Sequence, residues 1–148
     1  MSKPRRSRSS LLIQMIVLVA LGLASRLAGM PGFVVLYAGD VFWGAFFFAL
    51  GAYLWPKATS LRLWVGAVLV TELIEASQLC RVPWLLRLRA TALGGLLLGH
   101  EFLWSDVVGV AIGASLALVL DSQAGRLAQV VNATPEGAPA SAAQTPSD

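Results

Sequence analysis

Four long apolar runs, Leu11–Ala28, Val34–Trp55, Leu61–Leu79 and Leu103–Leu120, alternate with short polar stretches along the chain. Each is close to the roughly 20 residues that a helix needs to cross a bilayer. Stretches such as Ile13–Leu21 and Ala45–Leu50 do not alternate apolar with polar residues, as the strands of a transmembrane barrel would. In hydrocarbon the remaining way to satisfy every backbone group is the helix. The pattern therefore predicts an all-α protein, a polytopic transmembrane helical bundle with four spanning helices. Between Arg81 and Leu103 the apolar stretch Thr91–Gly99 is too short to span and follows Pro83, Arg87 and Arg89, so a short interfacial or re-entrant helix is expected there. Gly39-Asp40 interrupts the second run, which places the start of that crossing near Asp40 with Phe33–Ala38 folded in the interface.

Composition points the same way. With 57% hydrophobic and 13% charged residues in 148, and a mean hydropathy of +0.72, the chain holds more apolar side chain than a soluble domain of its length can hide. Membrane lipids are thus its expected partners. Three regions follow: a basic arm at 1–10, the bundle at 11–121, and a tail at 122–148 whose Ala, Pro, Ser, Thr and Gln cannot build a core and are expected to be disordered.

The net charge of +3 does not imply nucleic acid, because Lys3, Arg5, Arg6 and Arg8 crowd just ahead of the first apolar run. That placement reads as an orientation signal and as an arm lying on anionic headgroups. With the N-terminus inside, seven Lys and Arg (Lys3, Arg5, Arg6, Arg8, Lys57, Arg62, Arg126) fall inside and four (Arg26, Arg81, Arg87, Arg89) outside. The expected location is a bacterial inner membrane with both termini cytoplasmic. A basic stretch, an apolar stretch and small residues around Gly22–Ser25 also describe a cleaved signal peptide, but the first run continues to spanning length and three more follow, which favours a retained anchor.

The candidate chemistry lies in charges at membrane depth. Thr71, Glu72, Glu75 and Gln78 fall within one stripe of the third helix. On the four-span topology Arg26, Asp40, Glu72, Glu75, Gln78, Arg81, Arg89 and Asp106 gather toward the outer half of the bilayer from different segments. Charges there cost roughly 2.5–3.5 kcal/mol each and mark either a partner or a purpose. Two readings stay open: a site for an amphiphilic ligand or lipid headgroup, and an ion-pair network of four Arg with five acids (Asp40, Glu72, Glu75, Glu101, Asp106) that holds the bundle together. Arg81, Arg87 and Arg89 have the fork geometry that suits phosphate, so an enzyme acting on a lipid-linked phosphate is a further alternative.

No cofactor or metal is expected, because His100 is the single histidine and Cys80 the single cysteine. Ser105-Asp106 reads as an N-cap for the last helix, and Gly109-Val110-Ala111-Ile112-Gly113 as a small-residue packing face. That face could serve a homo-oligomer or a larger membrane complex.

Gly39-Asp40-Val41-Phe42-Trp43, Glu75-Ala76-Ser77-Gln78 with Arg81, Arg89-x-Thr91-x-Leu93-Gly94, and Leu98 through Asp106 followed by Gly113 occur in an order that resembles the bacterial membrane-protein family called domain of unknown function 2809. The resemblance runs from Arg26 to Leu118, about two-thirds of the chain. That family is similar in turn to the VanZ-like proteins, which share a Glu-x-x-Gln element and a later Asp and Gly. Asp40 here is followed by Val41 and Trp43 instead of the acidic-basic pair and His of the VanZ pattern, so the resemblance implies a cell-envelope context alone, without a defined activity.

Overall fold

The computed structural model describes residues 6–99 and 103–133. The expectations placed on Lys3, Arg5, His100, Glu101 and the tail beyond Ala133 lie outside the described residues. Six helices occur in order: α1 (Arg8–Ala24), α2 (Gly32–Leu54), α3 (Ser60–Ser77), α4 (Pro83–Arg89), α5 (Ala92–Leu98) and α6 (Trp104–Ala133). No strand occurs among the described residues, and the chain is all-α.

Local chemistry sets most boundaries. Ser7 caps α1 by accepting from Ser10 N, and Thr59 caps α3 by accepting from Arg62 N. The first helix ends at Ala24, earlier than its apolar run, and Ser25 Oγ turns back to donate to Gly22 O at 2.8 Å. Arg26 therefore follows the helix instead of lying on it. The second helix is continuous from Gly32, so Gly39-Asp40 does not interrupt it: Pro31 precedes its first turn, and the ladder carries Asp40 without a break. The last helix begins at Trp104, which puts Ser105 and Asp106 inside its first turn instead of at the cap. It also runs on through Ala133, so residues 122–133, expected in a disordered tail, are helical.

The single interfacial helix expected after Arg81 is two short ones. Thr91 separates them and caps α5 by accepting from Gly94 N at 3.0 Å. Gly99 ends α5 at φ 64°, a left-handed conformation that favours glycine.

The packing is inverted relative to a soluble bundle. The centre is made of small residues and a few larger ones: Ala49, Ala52, Ala67, Ala114 and Gly44 beside Leu11, Met15, Phe48 and Leu63. Large apolar side chains such as Ile13, Ile16, Leu69, Leu73, Leu116 and Leu120 point outward. Helix α2 packs against α1, α3 and α6, and is the hub of the bundle. Its contact with α6 is backbone to backbone: a Cβ added at Gly44 would strike the Val110 carbonyl, and one at Gly113 the Val41 carbonyl. The small-residue face of α6 is thus spent inside the molecule.

Two helices, α2 and the Trp104–Ala128 part of α6, are long and apolar enough to cross a membrane. Only 17% and 22% of their most apolar windows are buried, unlike the core helix of a soluble protein. Of the other two expected spans, α1 has 17 residues, and α3 carries Arg62, Glu72 and Glu75 within 18.

Candidate functional site

Arg26 just after α1, Asp40 on α2, Gln78 at the C-cap of α3 and Asp106 in the first turn of α6 surround a cavity of about 200 Å³, with α5 alongside. Glu75 and Gln78 are one helical turn apart at the end of α3, and Gln78 Nε2 donates to Glu75 Oε2 at 2.7 Å. Both are buried, 7% and 8% exposed. Asp106 sits in the first turn of α6, where the helix dipole favours an acid, and Ser105 Oγ donates to its Oδ1 at 3.0 Å.

Asp40 reaches the same place because α6 offers no side chain at Gly109, where an added Cβ would lie 2.9 Å from Asp40 Cβ. The Asp40 and Asp106 carboxyls consequently come within hydrogen-bonding reach of each other. Arg26 lays its guanidinium alongside Gly39. Trp43, Phe46 and Leu97 supply apolar wall; Trp43 stacks on Phe46 with ring centroids 5.1 Å apart.

Five of the eight expected site residues, Arg26, Asp40, Glu75, Gln78 and Asp106, therefore line one cavity. Among the described residues no ion pair joins Arg26 to Asp40, Glu75 or Asp106. Arg26 and the three carboxyls thus line one volume without forming ion pairs with each other. Trp43 stands three residues from Asp40, a spacing that puts the two on one helical face.

The other three residues are elsewhere. Glu72 is half-buried on α3 without reaching the cavity, because the helical turn that carries Glu75 and Gln78 inward rotates it aside. Arg81 follows the end of α3 and is exposed, as is Arg87.

Arg89 is 4% exposed and turned away from the cavity. Its Nη2 donates to Ser77 O at 2.6 Å and Ser77 Oγ at 3.1 Å, and its Nη1 to Cys80 O at 3.3 Å. A guanidinium there answers the orphan carbonyls and the negative end of α3, and ties α4 to the turn that holds Gln78. The expected phosphate-holding trio is therefore dispersed. Replacing Arg89 by Ala should destabilise the fold by about 1–3 kcal/mol, the cost of leaving buried carbonyls without donors. Lys should recover part of that, since an ammonium keeps the charge but loses the fork. Thermal unfolding midpoints of the purified variants check the order.

A family model described as a protein of unknown function, DUF2809, matches residues 29–114. The chain belongs to this family. The matched segment holds α2 through the first part of α6, and with them Asp40, Glu75, Gln78 and Asp106, while Arg26 precedes it. No solved structure matches the chain.

Proposed function

We propose that this protein is a bacterial inner-membrane protein whose cavity, on the periplasmic side, binds the headgroup of an amphiphile in an accessory cell-envelope role. The observation that carries the reading is the cavity itself: one guanidinium, three carboxyls and a carboxamide from four parts of the chain line one volume, with no ion pair among the described residues between the guanidinium and the carboxyls, backed by Trp43, Phe46 and Leu97. A volume of about 200 Å³ is below the roughly 300–1,000 Å³ of drug-sized sites, which suits a headgroup better than a whole lipid. The envelope context is the one implied by the likeness to VanZ-like proteins.

Four crossings are part of the proposal. At the end opposite the cavity, Arg6, the Pro56–Ser60 turn and Asp121 meet in a second polar cluster. Ser60 to Glu75 on α3 and Asp106 to Asp121 on α6 are both 15 residues, or about 22 Å of helix, somewhat less than the roughly 30 Å hydrocarbon core. The helices α1 and α2 connect the same two layers, and α1 contributes Leu11 and Met15 to the core, which supports its retention in the folded protein. Lys57 and Arg62 lie near the Arg6 end, as the positive-inside rule asks of a cytoplasmic side.

Orientation is tested with the exposed Cys80 thiol. An impermeant maleimide should label Cys80 in intact spheroplasts, whereas a cysteine at Lys57 in a Cys80→Ser background should react only after the membrane is opened. The reverse pattern rules out a periplasmic cavity. Binding is tested by native mass spectrometry of protein extracted in mild detergent. Wild type and Arg81→Ala should retain a bound lipid, and Glu75→Gln combined with Asp106→Asn should lose it at unchanged abundance. Equal retention in all three removes the site.

A further inference from the structure

The cavity's polar groups are almost all acceptors. Asp40, Glu75 and Asp106 offer three carboxyls against the single guanidinium of Arg26. Gln78 adds a more specific signal. Its Nε2 is committed to Glu75 Oε2, which orients the amide. Its Oε1 is left buried with no hydrogen-bond partner among the described residues. Gly99 lies against this amide, where an added Cβ would be 2.6 Å from Nε2, so a larger residue there would displace the side chain.

A buried carbonyl oxygen without a donor is costly unless something supplies one. Asp40 and Asp106 bring two carboxyls to the same wall, and a cation between them would offset that like charge. The Trp43 and Phe46 rings on the wall add faces that attract a positive charge.

We infer that the occupant is a protonated amine: an N–H-bearing ammonium group held by Asp40, Glu75, Asp106 and the Gln78 carbonyl. Arg26, at the rim beside Gly39, takes any anionic group attached to the same head. The inference rests on the proposed headgroup site and specifies its chemistry. The ammonium can belong to an aminophospholipid headgroup or to a free amine, and the two sources are separable by experiment.

The test uses the full chain purified in a nonionic maltoside, with titrations followed by tryptophan fluorescence. Dodecylamine, dodecyltrimethylammonium and dodecyl phosphate share one tail and differ only in the head. Dodecylamine should bind about tenfold more tightly than the trimethyl analogue, which has no N–H to give Gln78 or the carboxyls, and dodecyl phosphate should bind least. Gln78→Leu should weaken dodecylamine about tenfold and leave the trimethyl analogue nearly unchanged, whereas Glu75→Gln, which removes a charge, should weaken both.

Tighter binding of dodecyl phosphate than of dodecylamine overturns the ammonium assignment while the headgroup site survives. Equal binding of the primary and quaternary amines also overturns it, because the orphan acceptor then has no role. Failure of every probe to bind removes the headgroup site itself. Soluble ethanolamine and nanodiscs of phosphatidylethanolamine or phosphatidylcholine distinguish the source. Competition by ethanolamine alone marks a free amine, and competition by the phosphatidylethanolamine discs alone marks the lipid.

Discussion

Arg6→Met is expected to destabilise the folded protein by about 3–5 kcal/mol, the range for removing one partner of a buried ion pair. Arg6 binds Asp121 through both ends of its fork, Nε to Oδ1 and Nη2 to Oδ2, each at 2.7 Å. Its Nη1 also donates to Ala58 O at 2.9 Å and Pro56 O at 3.2 Å. Ser60 Oγ donates to Asp121 Oδ2 at 2.5 Å, so two distant parts of the chain close on one carboxylate. The two charged side chains are only 9% and 17% exposed, and little solvent screening discounts the loss. Removing the guanidinium strips donors from that carboxylate and from two turn carbonyls together. A double variant, Arg6→Met with Asp121→Leu, should recover most of the stability, because no buried charge then lacks its counterpart. Unfolding of the single and double variants in a denaturing-detergent titration measures this. A single variant as stable as wild type would show that the pair has no net stabilising effect.

Gly113→Leu should destabilise by about 3 kcal/mol, the upper end for overpacking a close contact. The site gives reason for that extreme: an added Cβ would meet backbone, the Val41 carbonyl, and backbone cannot rotate away as a side chain can. Helices α2 and α6 would have to separate, and Asp40 and Asp106 with them. Gly113→Leu should therefore abolish ligand retention even in the fraction that still folds. Gly66→Leu is the matched control. Nothing lies within 4 Å of a Cβ at Gly66, and Leu is a better helix former than Gly by roughly 0.5–1 kcal/mol. That variant should match or slightly exceed wild-type stability in the same titration.

The two cases differ in how much of each could be read from residues alone. Gly109 and Gly113 stand four apart in an apolar run, and that spacing marks a close helix contact. It does not say which helix makes the contact, and the answer is α2 within the same chain, not a partner subunit. Arg6 sits in a basic stretch whose evident meaning was orientation and headgroup binding. Its partner Asp121 is 115 residues away, and no local pattern joins residues so distant. Arg89 was misread for a related reason. A guanidinium near the end of a helix suits a phosphate and a row of free carbonyls equally, and only the placement of Arg89 beside the last turn of α3 chooses between them.

Glu75 and Gln78 were legible as a pair because three residues of helix bring two side chains onto one face in any environment. Asp40, Asp106 and Arg26 could be assigned only to a common depth. The approach of Asp40 to α6 depends on Gly109 leaving space for it. Glu72 and Arg81, a short step along the chain from true cavity residues, fell outside for want of a turn in the right direction.

Determined by sequence alone were the all-helical class and the presence of helices long and apolar enough to cross a membrane, because backbone hydrogen bonding within an apolar run is local and composition decides it. Tertiary structure decided which polar groups share a cavity, which are locked in the Arg6–Asp121 cluster and which face outward. Those choices follow from how closely helix backbones approach, and approach is set by the fit of small residues across the interface between helices, not by any one segment's own pattern.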